Sequence, residues 1–315
     1  MVHIILLLTS LGLGEALESQ NGACQGEDAD VLAQSMASVD EMGLSLLQKT
    51  SDRRRSSSAN QGAIETQTPG IIMWSYGRSG TESFMETLHQ SSGMEYCNHC
   101  KESFNFCHQC NAPYACGKPL SREALGACAE KGNRLMHVKP EHLEFDNSSL
   151  RTPDDFFEAA QQAGFRFLVT NFRENQLARD TSSIELCADG HCVTEVVLNP
   201  KNITAEFEEQ RRIFNNGVKA AKRAGFTVVS LSYQQLTHYL CASLYFVLET
   251  VRYSAHCSRQ IAHKGHKKRS LADRTSRELA RAITAALAPT AYAWMLDLDA
   301  EEWPAGIEPP VPIET

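Results

Sequence analysis

The sequence predicts an α/β protein: a three-layer sandwich around a central parallel sheet, entered through a phosphate-binding turn. Three observations predict it. Short apolar runs alternate with amphipathic segments across residues 69–297, the pattern of strands joined by crossover helices. The first run, 71–74 (Ile-Ile-Met-Trp), passes directly into a small-residue turn and then a helical pattern. The third run, 165–172, ends at Arg173 and is followed by another helical pattern. Ligands of such sheets bind beyond the carboxyl ends of the strands, which is where the turn and Arg173 both fall.

The elements follow in order. After the strand 71–74 comes the turn Gly77, Arg78, Ser79, Gly80, Thr81, then a helix from Glu82 with Phe84, Met85 and Leu88 on one face. A second strand is expected over 134–138, ending at Lys139 and Pro140. A helix over 153–163 begins with Thr152 as N-cap and Pro153 at its first position. Gly164 ends it, and the strand 165–172 follows. Helices are read over 174–186 and 205–224, the latter closed by Gly225. A fourth strand spans 226–232, and helices are read over 236–252 and 270–288.

The flanks are of another kind. Residues 1–16 hold an apolar run of signal-peptide length, with Gly14 and Ala16 forming a small-x-small cleavage pattern and only His3 adding charge before it. The rival reading is a short signal anchor, which makes the protein membrane-anchored only if this segment is retained. Both readings send the chain into the secretory pathway, to the Golgi lumen or the outside. Asn147 and Asn202 open glycosylation sequons, as expected of a glycoprotein on that route. Residues 17–68 are rich in Ser, Gln, Glu and Ala and read as a stem or pro-segment without a core. Residues 301–315 read as a C-terminal tail.

The chain has 11 cysteines, six of them between 97 and 128, which reads as a Cys-rich insertion. Cys97 and Cys100, then Cys107 and Cys110, form C-x-x-C pairs with His99 and His108 nearby. Zinc is one reading, but only six residues separate the pairs, and a secretory context favours disulfides. Cys187 with Cys192, and Cys241 with Cys257, are further candidate pairs. Net charge is −8, so a broad electrostatic grip on nucleic acid is not expected. The basic run 263–269 is either a local anion-attracting loop or a solvated one.

The turn carries most of the chemistry. A helix N-terminus offers unpaired N–H groups and about half a positive charge. Gly77 and Gly80 admit close approach of a phosphate, and Arg78 adds a guanidinium fork. The pattern is not a Walker A loop, which places Lys directly after its second glycine; Thr81 stands there instead. Downstream, Ser182 lies nine residues after Arg173. A phosphate between them receives a fork and a hydroxyl donor.

Arg78, Ser79, Gly80 and Thr81 between a strand and a helix resemble the 5′-phosphosulfate loop of sulfotransferases. Arg173, Asn175, Leu177, Arg179 and Ser182 match in register the 3′-phosphate motif of the carbohydrate and nodulation-factor branch of that family. Tyr233, Gln234, Gln235 and Leu236 resemble its Tyr-Glu-Asp-Leu, with Gln in place of both acids. Residues 270–296 are similar to its closing helices. The resemblance covers residues 69–297 in scattered blocks.

It implies a P-loop-like fold and transfer of a sulfuryl group from 3′-phosphoadenosine 5′-phosphosulfate, as co-substrate, to a hydroxyl or amine of a glycan or small-molecule acceptor, without a metal. It implies donor contacts from Arg78, Ser79, Gly80, Thr81, Glu82 and Ser83 on one side and from Arg173 and Ser182 on the other. Arg78 corresponds to the basic residue that neutralises the leaving group. The base is Glu102 or Glu95, with His99 as a third candidate, and Lys139 is a candidate contact to acceptor or sulfate. Two other classes stay open: a secreted Cys-rich binding protein on an inactive scaffold of this kind, and a kinase-like P-loop nucleotide enzyme.

Overall fold

The computed structural model describes residues 69–97, 120–132, 134–143, 148–188, 198–253 and 270–314, all within one compact unit, residues 62–315. The expected leader and stem, the cysteines from 100 to 116, Cys192, Cys257, the sequon at Asn147 and the basic run 263–269 lie outside the described residues.

Four strands form one parallel sheet in the order β2-β1-β3-β4. These are β1 (Gly70–Ser75), β2 (Leu135–Val138), β3 (Phe165–Phe172) and β4 (Thr227–Ser232). Ile72 pairs with Met136 on one side and Leu168 on the other, and Leu168 with Val228. Strands covered on both faces need continuous apolar sequence rather than alternation, and all six residues of β1 are buried.

Helices flank the sheet. Among the described residues these are α1 (Thr81–Ser92), α2 (Arg122–Glu130), α3 (Pro153–Gln162), α4 (Gln176–Ala188), α5 (Ile203–Arg223), α6 (Tyr233–His238), α7 (Leu240–Thr250), α8 (Leu271–Arg274) and α9 (Arg277–Leu287). Ile71, Met73, Leu135, Val169 and Val229 pack with Phe84 and Leu88 of α1 and Leu244 and Val247 of α7. The alternate residues Ile72, Trp74, Met136, Val138 and Leu168 pack with Phe156 and Phe157 of α3 and Phe214 and Val218 of α5. A third cluster joins Leu177 of α4, Phe207 of α5, Ile283 and Leu287 of α9, and Tyr292 and Met295. α5 lies close on the sheet because Gly217 leaves room for the Trp74 indole, which a β-carbon there would strike. Trp74 Nε1 donates to the Phe214 carbonyl at 3.2 Å.

Most expected elements stand within a residue or two. Thr152 caps α3, its hydroxyl accepting from Asp155 N, with Pro153 at the first position. Two expected helices are each divided. The stretch 236–252 becomes α6 and α7 with a break at Tyr239, whose backbone leaves the helical region. The stretch 270–288 becomes α8 and α9, because Thr275 is extended and Ser276 starts a new helix as its N-cap. α4 starts two residues later than expected, because Asn175 turns its side chain back onto Ala178 N at 2.9 Å and serves as the cap.

Cys97 is bonded to Cys128, with Cα atoms 5.1 Å apart, so Cys97 does not pair with Cys100 or serve as a thiolate ligand. The bond ties the segment after α1 to α2. Cys241 is also disulfide-bonded.

Residues 301–314, expected to be a tail, are folded onto the domain. Asn215 of α5 donates to the Pro312 carbonyl at 2.8 Å and accepts from Glu314 N at 2.9 Å. Arg211, fully buried, donates to the Val311 carbonyl at 3.1 Å. These contacts join the C-terminal segment to α5 groups more than 95 residues away in sequence.

Candidate functional site

The sequence between β1 and α1 makes a tight corner. Arg78 and Gly80 both have positive φ, 61° and 75°. Glycine adopts that conformation freely, whereas an arginine there is strained by about 1 kcal/mol. Strained non-glycine residues cluster at functional turns. Gly80 is the N-cap of α1 and brings no capping side chain, which leaves the first-turn N–H groups to another acceptor. Beside them the Ser79 hydroxyl is buried without a hydrogen-bond partner. Thr81 is buried, Ser83 half-buried and Glu82 exposed.

A second corner, between β3 and α4, stands beside the first because β1 and β3 are neighbours. Chain connections leave in opposite directions here, β1 toward β2 and β3 toward β4, which makes this the switch point of the sheet. Arg78 crosses the gap: its Nε and Nη2 donate to Ser182 Oγ at 3.2 and 3.0 Å, across 104 residues of sequence. Thus Arg78 and Ser182, assigned to separate halves of the site by sequence, touch directly.

Arg173 sits at the end of β3 and is nearly buried. Its guanidinium lies over the Tyr233 ring, 4.2 Å from the centroid. The same ring faces Gly80, whose β-carbon position is 3.3 Å from Tyr233 Cε2. Tyr233 therefore forms a wall shared by the two corners. Burial raises its pKa, against the opposing pull of Arg173. The Arg173 fork is engaged by Glu301: Nε donates to Oε2 at 3.1 Å and Nη2 to Oε1 at 2.8 Å. Burial pushes the Glu301 carboxyl upward, and the hydrogen bond and charge of Arg173 hold it down.

The other motif residues have jobs within the fold. Asn175 caps α4 and donates to the carbonyls of Asp297 at 2.9 Å and Ala300 at 2.7 Å. Leu177 is core. Arg179 pairs with Asp180 at 2.6 Å, donates to Gln210 at 2.6 Å and lies over the Tyr76 ring. Arg211 donates to Gln176 Oε1 at 2.9 Å, pairs with Glu174, and is covered by the rings of Phe172 and Trp303. Removing one member of such a buried ionic set leaves an uncompensated charge.

Lys139 reaches the turn, its Nζ 3.8 Å from the β-carbon position of Gly77. At the ends of β1 and β2, Ser75 Oγ and His137 Nε2 make a buried hydrogen bond at 2.9 Å. Glu95 is not brought to the turn. It is exposed after α1, and its carbonyl accepts from Arg134 N and Leu135 N at 2.9 and 3.0 Å. That is the start of β2, at the opposite end of the strands from the turn, because α1 runs back along β1 for 12 residues, about 18 Å. Glu102 and His99 lie outside the described residues.

Sequence reasoning missed Glu301 and the Ser75–His137 pair, and it noticed Tyr233 only as part of a strand-end pattern. Glu301 carried no signal, since it stands in a segment without periodicity. Gln235 has a structural account: it forms a reciprocal capping box with Ser232, in which Gln serves as well as Glu.

No protein-family model, curated protein or solved structure matches the chain. Among the described residues no group of three or more His, Cys, Asp or Glu is arranged to hold a metal ion, and no helix is long and apolar enough to cross a membrane.

Proposed function

We propose that this chain is a sulfotransferase, built as a three-layer sandwich with a P-loop-like turn. It transfers a sulfuryl group from 3′-phosphoadenosine 5′-phosphosulfate to a hydroxyl or amine of an acceptor, a carbohydrate, in the lumen of the secretory route. The observation that carries the reading is the Arg78–Ser182 contact at the switch point. It joins the 5′-side turn to the 3′-side corner, which is the juxtaposition that a ligand with two phosphate groups requires.

The residues present fit that ligand. The uncapped N-terminus of α1, the unpartnered Ser79 hydroxyl and the close approach allowed at Gly80 suit a phosphate oxygen. The donor supplies an activated sulfuryl group; the protein positions and polarises. Arg78, with the first-turn N–H groups of Thr81, Glu82 and Ser83, stabilises charge growing on the leaving phosphate. Lys139, beside Gly77, does the same for the sulfuryl oxygens. Glu102 takes the proton of the attacking hydroxyl, and Arg173 and Ser182 orient the 3′ group.

Titration with adenosine 3′,5′-bisphosphate tests binding. Wild type is expected to bind without magnesium and Arg78→Ala to lose binding. A labelled-donor screen over glycans, tyrosine peptides and small alcohols tests transfer, with Glu102→Gln keeping binding and losing turnover. The Arg173–Glu301 ion pair favours one second reading, a Cys-rich binding protein on an inactive scaffold. Nucleotide binding without transfer to any acceptor supports it. Magnesium-dependent ATP binding in place of bisphosphate binding points instead to a kinase-like enzyme.

A further inference from the structure

We propose that Glu301 is an internal competitor for the anion site at Arg173, and that the segment around it is a latch which a bound phosphate group displaces. The inference rests on the reading of Arg173 as a phosphate ligand. A carboxylate gripped by both edges of a guanidinium fork has the geometry of a phosphate gripped the same way. Glu301 makes that grip at 2.8 and 3.1 Å, with only 10% and 16% of the Arg173 and Glu301 side chains exposed.

Apart from the Arg173 pair itself, the segment is pinned on either side of Glu301. Asn175 holds the carbonyls of Asp297 and Ala300 just before it. Trp303 Nε1 donates to Glu174 Oε2 at 3.0 Å just after it. Glu301 and Glu302 can therefore swing between fixed points without unfolding the segment. Both anchoring side chains belong to the β3–α4 corner, so the latch is attached to the site it covers.

The energetics favour exchange. Carboxylate and phosphate meet the same fork, but a phosphate monoester carries close to two negative charges where Glu301 carries one. Glu301 also bears a burial penalty and the repulsion of Asp299, with His238 on the attractive side. An incoming phosphate releases that penalty as it takes over Arg173, and Tyr233 remains stacked on the guanidinium as a fixed wall. A ligand lacking the 3′-phosphate leaves the latch in place, so Glu301 weakens the binding of doubly phosphorylated nucleotides and not of singly phosphorylated ones.

Isothermal titration of adenosine 3′,5′-bisphosphate and adenosine 5′-monophosphate into the full chain tests this. Glu301→Gln, which keeps size and one acceptor but removes charge, is expected to tighten bisphosphate binding about tenfold, within the usual range of coupling between sites. It should leave monophosphate binding unchanged. Glu301→Asp, too short to span the same distance, is expected to shift in the same direction and guards against misfolding of the first variant. Bisphosphate binding unchanged or weakened in both folded variants, with wild-type binding intact, overturns the latch and leaves the proposed function standing. Absence of bisphosphate binding in wild type and both variants overturns the anion-site reading beneath it.

Discussion

At Arg78 local strain and long-range contact pull in opposite directions. The residue holds φ at 61° while its fork reaches Ser182. Arg78→Gly removes the strain, a gain of up to about 1 kcal/mol, and removes the fork. Its denaturation midpoint is therefore expected to stay level or rise while affinity for adenosine 3′,5′-bisphosphate falls at least tenfold. A parallel loss of stability and binding would mark Arg78 as a structural residue. Glu301 sets a second expectation at this scale. Its carboxyl takes up a proton more readily folded than unfolded, since burial raises its pKa. The folded state then binds more protons in the window above the ordinary carboxylate value of about 4.3, so this group's contribution to stability grows as pH falls through that window. Urea unfolding from pH 7 to 4 should show wild type gaining on Glu301→Gln. A constant difference between the two would contradict the assignment.

Elements show how much of the fold could be read beforehand. Caps and periodicity were legible wherever one residue decides: Thr152 with Pro153 starts α3, and Gly164 and Gly225 mark helix ends. The breaks at Tyr239 and Thr275 were not, because neither residue forbids helix. The two corners were legible as pieces, since strand–turn–helix patterns are local. Their convergence at the carboxyl ends of the strands was legible too; the direct Arg78–Ser182 contact was not, because it depends on β1 and β3 becoming neighbours. Glu95 illustrates the converse: correct spacing in sequence, wrong end of the strands. The capping box at the start of α6 gives a test at this scale. Gln235→Ala should cost about 1 kcal/mol, and Gln235→Glu should restore it, as measured by chemical denaturation. At Gly217, alanine should cost about 1–3 kcal/mol by driving the Trp74 ring from its seat.

Across the whole molecule, the last residues and the disulfide hold distant parts in place. Arg211 is buried between Phe172 and Trp303 and bonded to the chain at Val311. Deletion of residues 301–315 is thus expected to destabilise the domain by several kcal/mol, since it strips cover and partners from a buried cation. Truncations that keep full stability would show the segment to be dispensable. The Cys97–Cys128 bond spans 31 residues. Its removal should cost about 3–4 kcal/mol by loop-closure entropy, seen as a lower unfolding temperature of Cys97→Ser, Cys128→Ser protein. The wall formed by Tyr233 has a consequence for genetics. Gly80 and Arg173 are ninety-three residues apart in sequence, yet one aromatic ring abuts both. A side chain added at Gly80 crowds the ring on which the guanidinium rests, so substitutions at the two positions will not contribute independently. Selection at either position therefore acts on both: a change tolerated at one alone becomes harmful or harmless according to the residue at the other.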